Sequence, residues 1–238
     1  MALGLTSGGP HLRPEVNSSI IHLAKMKAEL TYFDMSGLGE PVRVMLSYGN
    51  IPFDDIRLSK EKWADIKKET KFGQLPRLRI DGLELYQSRA ICRYIATKIG
   101  LRSADAKEAA LTDMWVDTFD DVRFMVVRWY YQEDSQERTE NLENLKTKAL
   151  TDVLSVFEKT LETENAEYFV NNKLSWADVM LFGYLFYIAD LLHTSGEEIL
   201  AKHSRLSKLY GEIKNSPGVQ NWLKIRPQSP PDMRVLFS

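Results

Sequence analysis

Strand-like and helical patterns alternate through this chain up to Gly100, and only helical patterns follow. Four short runs are rich in strand-forming residues and bounded by turn residues: 27–33, 51–58, 76–80 and 83–86. Helical patterns lie between and after them, with Pro41 in the first turn of one helix. The order βαβαββα predicts an α/β layer around a single small sheet.

The rest of the chain predicts helices only. From Leu111 onward, apolar residues recur at a spacing that places them on one helical face. The segment LSWADVML has the form of a helix start, with Ser175 as the N-cap and Asp178 three positions later. Leu174 and Val179 would pack across that cap. We therefore expect an all-α second domain.

These patterns divide the chain into four parts. We expect a flexible N-terminal extension over residues 1–25, an α/β domain over 26–103, an all-α domain over 106–228 and an irregular tail over 229–238. Residues 1–25 lack the sustained apolar core of a secretory signal, and a weak mitochondrial presequence is the alternative interpretation.

Charge and apolar content argue against nucleic acid and membrane as partners. Lysine and arginine total 31 against 33 aspartate and glutamate, a net charge of −2, whereas a nucleic-acid binder needs a concentrated basic surface. The most apolar window, residues 176–192, carries Asp178 and Asp190 and is typical of a buried helix. Cys92 is the single cysteine, which excludes an intrachain disulfide and fits a reducing, cytoplasmic compartment.

No sequence motif indicates a metal, redox or phosphate site. The chain has no Cys-x-x-Cys pair and no glycine-rich phosphate loop. Metal-ligand spacing is absent among the four histidines, His11, His22, His193 and His203. We expect no metal cofactor.

The segment FGQLPRLRIDGLELYQSRAI, residues 72–91, indicates a binding edge. Pro76 opens a strand, and a cis bond before it would turn the main-chain groups of Leu75 outward, where they could hold an extended peptide. Gln87 and Ser88 precede a helix, where Ser88 as N-cap and the free N–H groups favour an anion. The segment thus predicts a site for a short anionic peptide. A trans edge proline and simple helix capping are the alternatives.

Several spaced motifs carry a family resemblance. LTYFD, GLGEPVR, FGQLP, QSRAICRYIA and LSWADV, in this order, resemble a cytosolic glutathione transferase of the sigma class, in its insect-like branch. The resemblance covers residues 27–227. It implies a thioredoxin-like N-terminal domain, an all-α C-terminal domain, a homodimer and glutathione as cosubstrate.

The same resemblance assigns the glutathione site. It implies that Pro76 is cis, that the Leu75 main chain pairs with the cysteinyl unit, and that Gln87 and Ser88 take the γ-glutamyl carboxylate. Positions that match the glycyl end are Trp63, Lys67 and Gln74, and Gly73 is a further glutathione-binding position.

Asp121 is implied to contact the γ-glutamyl ammonium bound in the neighbouring subunit. It follows Asp117 and Asp120 on the polar side of the first long helix. Three such carboxylates repel one another unless cations face them, and a solvated acidic face is the alternative interpretation.

Tyr32 matches the family's catalytic tyrosine. A free cysteine thiol has a pKa near ~8.5, so catalysis needs a group that stabilises the sulfur anion. One charge-assisted hydrogen bond of ~1.5–3 kcal/mol from the phenol could lower the thiol pKa by about one to two units. A half-buried strand aromatic is the alternative for Tyr32.

Ser36 and Leu38 depart from the pattern of many sigma-class relatives, which carry arginines at these positions. Insect-like members share the apolar substitution, so thiolate stabilisation must depend more on Tyr32 and backbone groups. The departure argues against prostaglandin isomerase activity. The resemblance implies an electrophile pocket lined by Met35, Gly37, Leu38, Arg123, Arg128 and Tyr184.

The resulting hypothesis is a dimeric enzyme that conjugates glutathione to small electrophiles. Arg128 and Tyr184 could orient a carbonyl, which favours lipid-peroxidation aldehydes, with reduction of lipid hydroperoxides as an added activity. The alternatives are a glutathione-dependent prostaglandin D isomerase and a non-catalytic, crystallin-like structural protein.

Overall fold

The computed structural model describes residues 26–230 and 232–236. The predicted flexible extension, residues 1–25, lies outside the described residues, together with His11 and His22. Among the residues that are described, no helix is both long and apolar enough to cross a membrane.

The first domain is built on a four-stranded mixed sheet. Its strands are β1 (Ala28–Phe33), β2 (Phe53–Leu58), β3 (Arg77–Ile80) and β4 (Leu83–Tyr86), in the order β2-β1-β3-β4. β1 runs parallel to β2 and antiparallel to β3, and β4 is antiparallel to β3. This is the thioredoxin-like arrangement, so the predicted fold class is confirmed.

Three helices accompany the sheet: α1 (Glu40–Tyr48), α2 (Lys60–Ile66) and α3 (Ser88–Lys98). Single 3-10 turns precede α1 at Gly37–Gly39 and follow α2 at Lys67–Glu69. The prediction of Ser88 as an N-cap is wrong, because Ser88 is already the first helical residue. The chain turns directly from β4 into α3 at Gln87, which has φ 68° and ψ 110° and caps the helix through its backbone position alone.

The second domain is helical. Its helices are α4 (Ala106–Tyr130), α5 (Gln136–Asn144), α6 (Leu150–Thr163), α7 (Trp176–Leu192), α8 (Gly196–Ile199), α9 (Ser204–Lys214) and α10 (Pro217–Ile225). A π-helical turn, Leu145–Ala149, joins α5 to α6. The tail, predicted to be irregular, contains a final 3-10 turn at Met233–Leu236.

The predicted start of α7 is confirmed. Asp178 accepts hydrogen bonds from the Ser175 backbone N–H at 2.7 Å and from its hydroxyl at 2.8 Å, and the capping box is complete. The other Asp178 carboxylate oxygen accepts the Phe169 N–H at 3.2 Å. A fully buried carboxylate thus fixes both the helix start and the loop before it.

α1 connects the two domains because it packs against both α7 and α10. At the α7 contact, a Cβ on Gly183 would lie 2.9 Å from the Pro41 Cα, and at the α10 contact a Cβ on Gly218 would lie 1.8 Å from the Ser47 carbonyl oxygen. These two glycines let the helices approach closely. The segment that leads into α1 is therefore held firmly by the second domain.

Candidate functional site

The sheet register brings the predicted binding residues to one end of the first domain. Thr31 pairs with Arg77, and Arg77 pairs with Tyr86. Tyr32 is the residue after Thr31, and Gln87 is the residue after Tyr86. The Leu75–Pro76 bond lies immediately before β3 begins. Tyr32, the segment 74–76 before β3 (the proline loop) and the start of α3 therefore lie at one edge of the sheet. The Leu75–Pro76 bond is cis, as the resemblance predicts.

The Tyr32 hydroxyl oxygen is held by the loop between β1 and α1. The backbone N–H of Leu38 donates to it at 2.9 Å. Gly37 has φ 46°, and a Cβ there would lie 2.5 Å from the Tyr32 oxygen; a Cβ on Gly39 would lie 2.6 Å from the ring. Because the oxygen already accepts from Leu38, the hydroxyl proton can be donated to another acceptor.

Burial raises the pKa of Tyr32 above its ordinary value of 10.0, and this effect outweighs the opposing effects of the Leu38 N–H, Arg43 and Arg123. The phenol is therefore protonated at neutral pH. A protonated phenol is the form that can donate a hydrogen bond to a sulfur anion.

A buried ionic network lies beneath the loop between β1 and α1, residues 34–39, which we call the Tyr32 loop. Arg43 is fully buried and donates to the Met35 carbonyl at 2.8 Å, to Glu40 at 3.2 Å and to Asp55 at 2.8 Å. The Trp222 indole N–H donates to Glu40 at 2.8 Å. Glu40 and Arg43 are three residues apart in GLGEPVR, a spacing that indicates an ion pair. The sequence offers no signal that Trp222 completes it.

The proline loop is tied to the start of α3. The Gln87 side-chain amide donates to the Gln74 amide oxygen at 3.3 Å, and Ser88 is buried. The first N–H groups of α3 have no partner within the helix, since the earliest α3 bond runs from Ile91 N–H to the Gln87 carbonyl. These groups can bind an anion. The unusual φ of Gln87 directs the chain into this position.

The residues predicted at the glycyl end lie around α2 and the turn that follows. The Trp63 ring packs edge-on against Phe33, with ring centroids 5.6 Å apart. Lys67 begins the 3-10 turn after α2, and its side-chain Cε lies 3.7 Å from where a Cβ on Gly73 would stand. Gly73 has φ 61° and donates its N–H to the Thr70 carbonyl.

Cations face two of the three carboxylates in the acidic cluster. Arg89 contacts Asp117 at 2.9 Å and Asp120 at 3.3 Å, and Arg123 donates to Asp120 at 2.6 Å. Asp121 is exposed and forms no ion pair with the described part of the chain. Asp117 and Asp120 are therefore neutralised by arginines of the same chain, whereas the Asp121 carboxylate is exposed to solvent.

The six residues predicted for the electrophile pocket fall into different places. Gly37 and Leu38 adjoin the Tyr32 hydroxyl, whereas Met35 and Tyr184 are almost completely buried. The Arg123 guanidinium stands 6.0 Å from the Tyr184 ring centroid. Arg128 instead lines an exposed groove with Asp121 and Phe124. The structure therefore brings Tyr184 together with Arg123 and places Arg128 on another surface.

Two further tyrosines near Tyr32, Tyr131 and Tyr187, are not among the site residues predicted from the sequence. Burial, then the proximity of Tyr32, raises the pKa of both Tyr131 and Tyr187. Tyr187 lies one helical turn after Tyr184 on α7, a spacing that places both on one face. That spacing could have identified Tyr187, whereas nothing in the local sequence distinguishes Tyr131.

No group of three or more His, Cys, Asp or Glu residues within the described ranges is arranged to hold a metal ion. Cys92 is completely buried, and burial raises the pKa of its thiol. Its environment is that of a core residue.

Comparison with known proteins gives matches in both domains. The model of the glutathione S-transferase N-terminal domain matches residues 28–97, and that of the C-terminal domain matches residues 120–226. A glutathione S-transferase of Anopheles gambiae is 33% identical over 196 residues, which span 82% of this chain and 95% of the relative.

Solved structures agree in fold. A structure named prostaglandin synthase D of Nilaparvata lugens has a TM-score of 0.76 and 33% identity, with 84% of this chain and 98% of that chain covered. A glutathione s-transferase of the hookworm Necator americanus, described as monomeric, has a TM-score of 0.71 and 27% identity, with 85% and 98% covered.

Proposed function

This chain belongs to the glutathione S-transferase family, and from that premise we propose that Tyr32 activates the thiol of bound glutathione for addition to small electrophiles. The observation that carries the proposal is the 2.9 Å hydrogen bond from the Leu38 N–H to the Tyr32 oxygen. This bond leaves the phenol proton available to the thiolate, beside the cis-proline loop and the start of α3.

Each group of residues at this edge corresponds to one unit of the tripeptide glutathione. The Leu75 main chain pairs with the cysteinyl unit, and Gln87, Ser88 and the free N–H groups of α3 hold the γ-glutamyl carboxylate. Trp63, Lys67 and Gln74 contact the glycyl end, and Gly73 belongs to the glutathione-binding loop. This placement sets the sulfur next to Tyr32. Proximity to the electrophile then supplies much of the rate enhancement.

The test is Tyr32→Phe, which removes only the hydroxyl. We expect the pKa of the bound thiol to rise by about one to two units and conjugation near neutral pH to fall about 10- to 100-fold. The measurements are thiolate absorbance of the glutathione complex and the rate of conjugation to a hydroxyalkenal. Equal, slow rates for the wild type and the variant would falsify the proposal and favour the non-catalytic alternative.

We propose lipid-peroxidation aldehydes as the electrophile class. Support comes from Arg123, whose charge acts on Tyr32 and whose guanidinium stands 6.0 Å from the Tyr184 ring centroid. The exposed position of Arg128, the cation predicted from the sequence, makes Arg123 the better candidate. A panel of hydroxyalkenals, chloronitrobenzenes and lipid hydroperoxides tests this assignment and the peroxidase activity together.

Prostaglandin D isomerase is the second candidate function, because one structural neighbour is named prostaglandin synthase D. Ser36 and Leu38 argue against it, since neither supplies a cation beside the thiolate. Turnover of prostaglandin H2 above the uncatalysed background, abolished in Tyr32→Phe, would support this candidate over simple conjugation.

We further propose a cytoplasmic, sigma-class homodimer. The order of the five motifs supports the class. Two features support the dimer: Phe72 is exposed, and Asp121 forms no ion pair with any described residue. In such a dimer Asp121 contacts the γ-glutamyl ammonium bound in the partner. The monomeric hookworm relative makes the oligomeric state a matter for direct measurement.

A further inference from the structure

The C-terminal segment crosses back over the loop that carries the Tyr32 hydrogen-bond donor. We call residues 226–236, of which all except 231 are described, the C-terminal strap. Arg226 anchors its start: its guanidinium contacts Glu40 at 3.5 Å and Asp190 at 3.2 Å and stacks on the Phe186 ring at 4.4 Å. Pro227 and Pro230 restrict the backbone that follows.

Ser229 makes the direct contact between the strap and the Tyr32 loop. Its hydroxyl oxygen accepts the Ser36 backbone N–H at 2.9 Å, and its hydroxyl proton is donated to Asp190 at 2.9 Å. Asp190 also accepts from Arg226, so α7 fixes the orientation of the Ser229 hydroxyl. The strap thus supplies an acceptor to a loop N–H that has no other acceptor among the described residues.

The end of the strap holds the same loop at a second point. The Ser36 hydroxyl donates to the Met233 sulfur at 3.9 Å. The Met233 N–H donates to the Tyr130 hydroxyl at 2.8 Å, and that hydroxyl donates to Asp232 at 3.1 Å. Arg234 contacts Asp232 at 2.8 Å. The strap is therefore anchored on α4 as well as on α7.

Ser36 lies two residues before Leu38 in this loop. The Ser36 carbonyl accepts from the Glu40 N–H at 2.9 Å and from Arg43 at 3.3 Å, so α1 holds its other side. With both sides of Ser36 held, the following residues have little freedom to rotate. The Leu38 N–H is consequently directed at the Tyr32 oxygen.

We propose that Ser229 is a positioning residue for thiol activation, acting through Ser36 and Leu38 on the Tyr32 hydroxyl. The inference depends on the proposed function, because it concerns how strongly Tyr32 stabilises the glutathione thiolate. An N–H that donates to a phenol oxygen makes that phenol a better hydrogen-bond donor. Loss of the strap contact therefore weakens the Tyr32 bond to sulfur without removing any group that touches glutathione.

The test compares Ser229→Ala with Ser207→Ala in the full chain. Ser207 is a matched control on α9, half-buried like Ser229, whose hydroxyl donates to the Leu200 carbonyl at 2.8 Å and does not touch the loop. Ser229→Thr keeps the hydroxyl and should restore the wild-type behaviour. Thermal unfolding of each variant reports any general loss of stability.

In Ser229→Ala we expect the pKa of the bound glutathione thiol to rise by about half a unit to one unit. The acid limb of the kcat/KM profile should shift equally, so activity below that pKa falls about three- to tenfold. The Kd for glutathione measured below that pKa, where the protonated thiol is bound, stays close to wild type. Ser207→Ala should leave the thiol pKa unchanged.

A thiol pKa in Ser229→Ala equal to that in Ser207→Ala overturns the inference, and so does a failure of Ser229→Thr to restore it. Tyr32→Phe, measured in parallel, separates this failure from a failure of the proposed function. If Tyr32→Phe raises the thiol pKa and Ser229→Ala does not, only the role of Ser229 is lost. If Tyr32→Phe has no effect, both proposals fall.

Discussion

Gly37 determines both the backbone conformation of the loop after β1 and the space available to the Tyr32 hydroxyl. Its φ of 46° favours glycine, and a Cβ there would overlap the Tyr32 hydroxyl. Gly82 offers a comparison, because its φ of 74° carries the same backbone preference while a Cβ would meet nothing within 4 Å.

We expect Gly37→Ala and Gly82→Ala each to lose about 1–2 kcal/mol of unfolding free energy from the backbone conformation. Only Gly37→Ala should also lose conjugation activity, because its methyl group displaces Tyr32 or the loop. Urea unfolding and the conjugation rate of both variants check this. A full rate in folded Gly37→Ala contradicts it.

A second effect at the residue scale concerns pH. Burial lowers the pKa of His203 below its ordinary value of 6.5, against the opposing effect of Glu158 and with a further lowering by Lys202. Below about pH 6.5 the unfolded chain therefore binds a proton that the folded chain does not. Stability must fall as the pH falls through this range, by up to ~1.4 kcal/mol per pH unit.

We expect His203→Gln to reduce the loss of unfolding free energy between about pH 7.5 and about pH 5.5. His193→Asn is the control, because His193 is an exposed C-cap residue with φ 51°, a conformation that asparagine tolerates. Urea unfolding at the two pH values gives the comparison. An unchanged pH dependence in His203→Gln means that another group is responsible.

At the scale of elements, the position of α1 depends on how closely α10 approaches it. Gly218 lies in the first turn of α10, where a Cβ would stand 1.8 Å from the Ser47 carbonyl oxygen. Gly211 lies inside α9, where a Cβ would meet nothing within 4 Å.

The same substitution should therefore have opposite effects at the two sites. Gly211→Ala should gain about 0.5–1 kcal/mol, because alanine is the better helix former. Gly218→Ala should lose about 1–3 kcal/mol, because α10 must move away from α1. Thermal or urea unfolding measures both. If Gly218→Ala is instead more stable than the wild type, α10 can move away from α1 without a loss of unfolding free energy, and the prediction is wrong.

At the scale of the whole molecule, self-association is expected to involve the exposed side chain of Phe72. Its side chain is 57% exposed, and its ring packs edge-on against Tyr86, with centroids 5.4 Å apart. The Tyr86 hydroxyl accepts the Lys71 N–H at 3.2 Å, which fixes the loop. A rigid loop that presents an exposed aromatic ring is typical of an interface anchor.

We expect Phe72→Ser to weaken self-association about 30-fold or more, a loss typical of an interface hot spot. Ile225→Ser is the control, because Ile225 is 75% exposed at the end of α10. Sedimentation across a range of concentrations gives the oligomeric state. If wild-type protein is monomeric throughout that range, the dimer proposal is wrong, and Asp121 has no partner site to complete.

Local patterns predicted much of the fold and part of the site. β4 begins and ends as predicted, and β1 to β3 begin one or two residues later than predicted. The Ser175 cap is confirmed, and so is the cis bond before Pro76, which the family resemblance implied and the local pattern alone left open. Each of these depends on residues near one another in the chain. Ser88 was assigned one position wrongly, because the backbone at Gln87 rather than a side chain sets the helix start.

By itself, the sequence determined the sheet, the helices and the family, because periodicity, caps and spaced motifs act over a few residues at a time. The tertiary structure alone decided the surroundings of Tyr32. Trp222 reaches Glu40 and Ser229 reaches Ser36 only after the two domains have packed together. Contacts between residues so distant in sequence leave no periodic signal, since their geometry exists only in the folded chain.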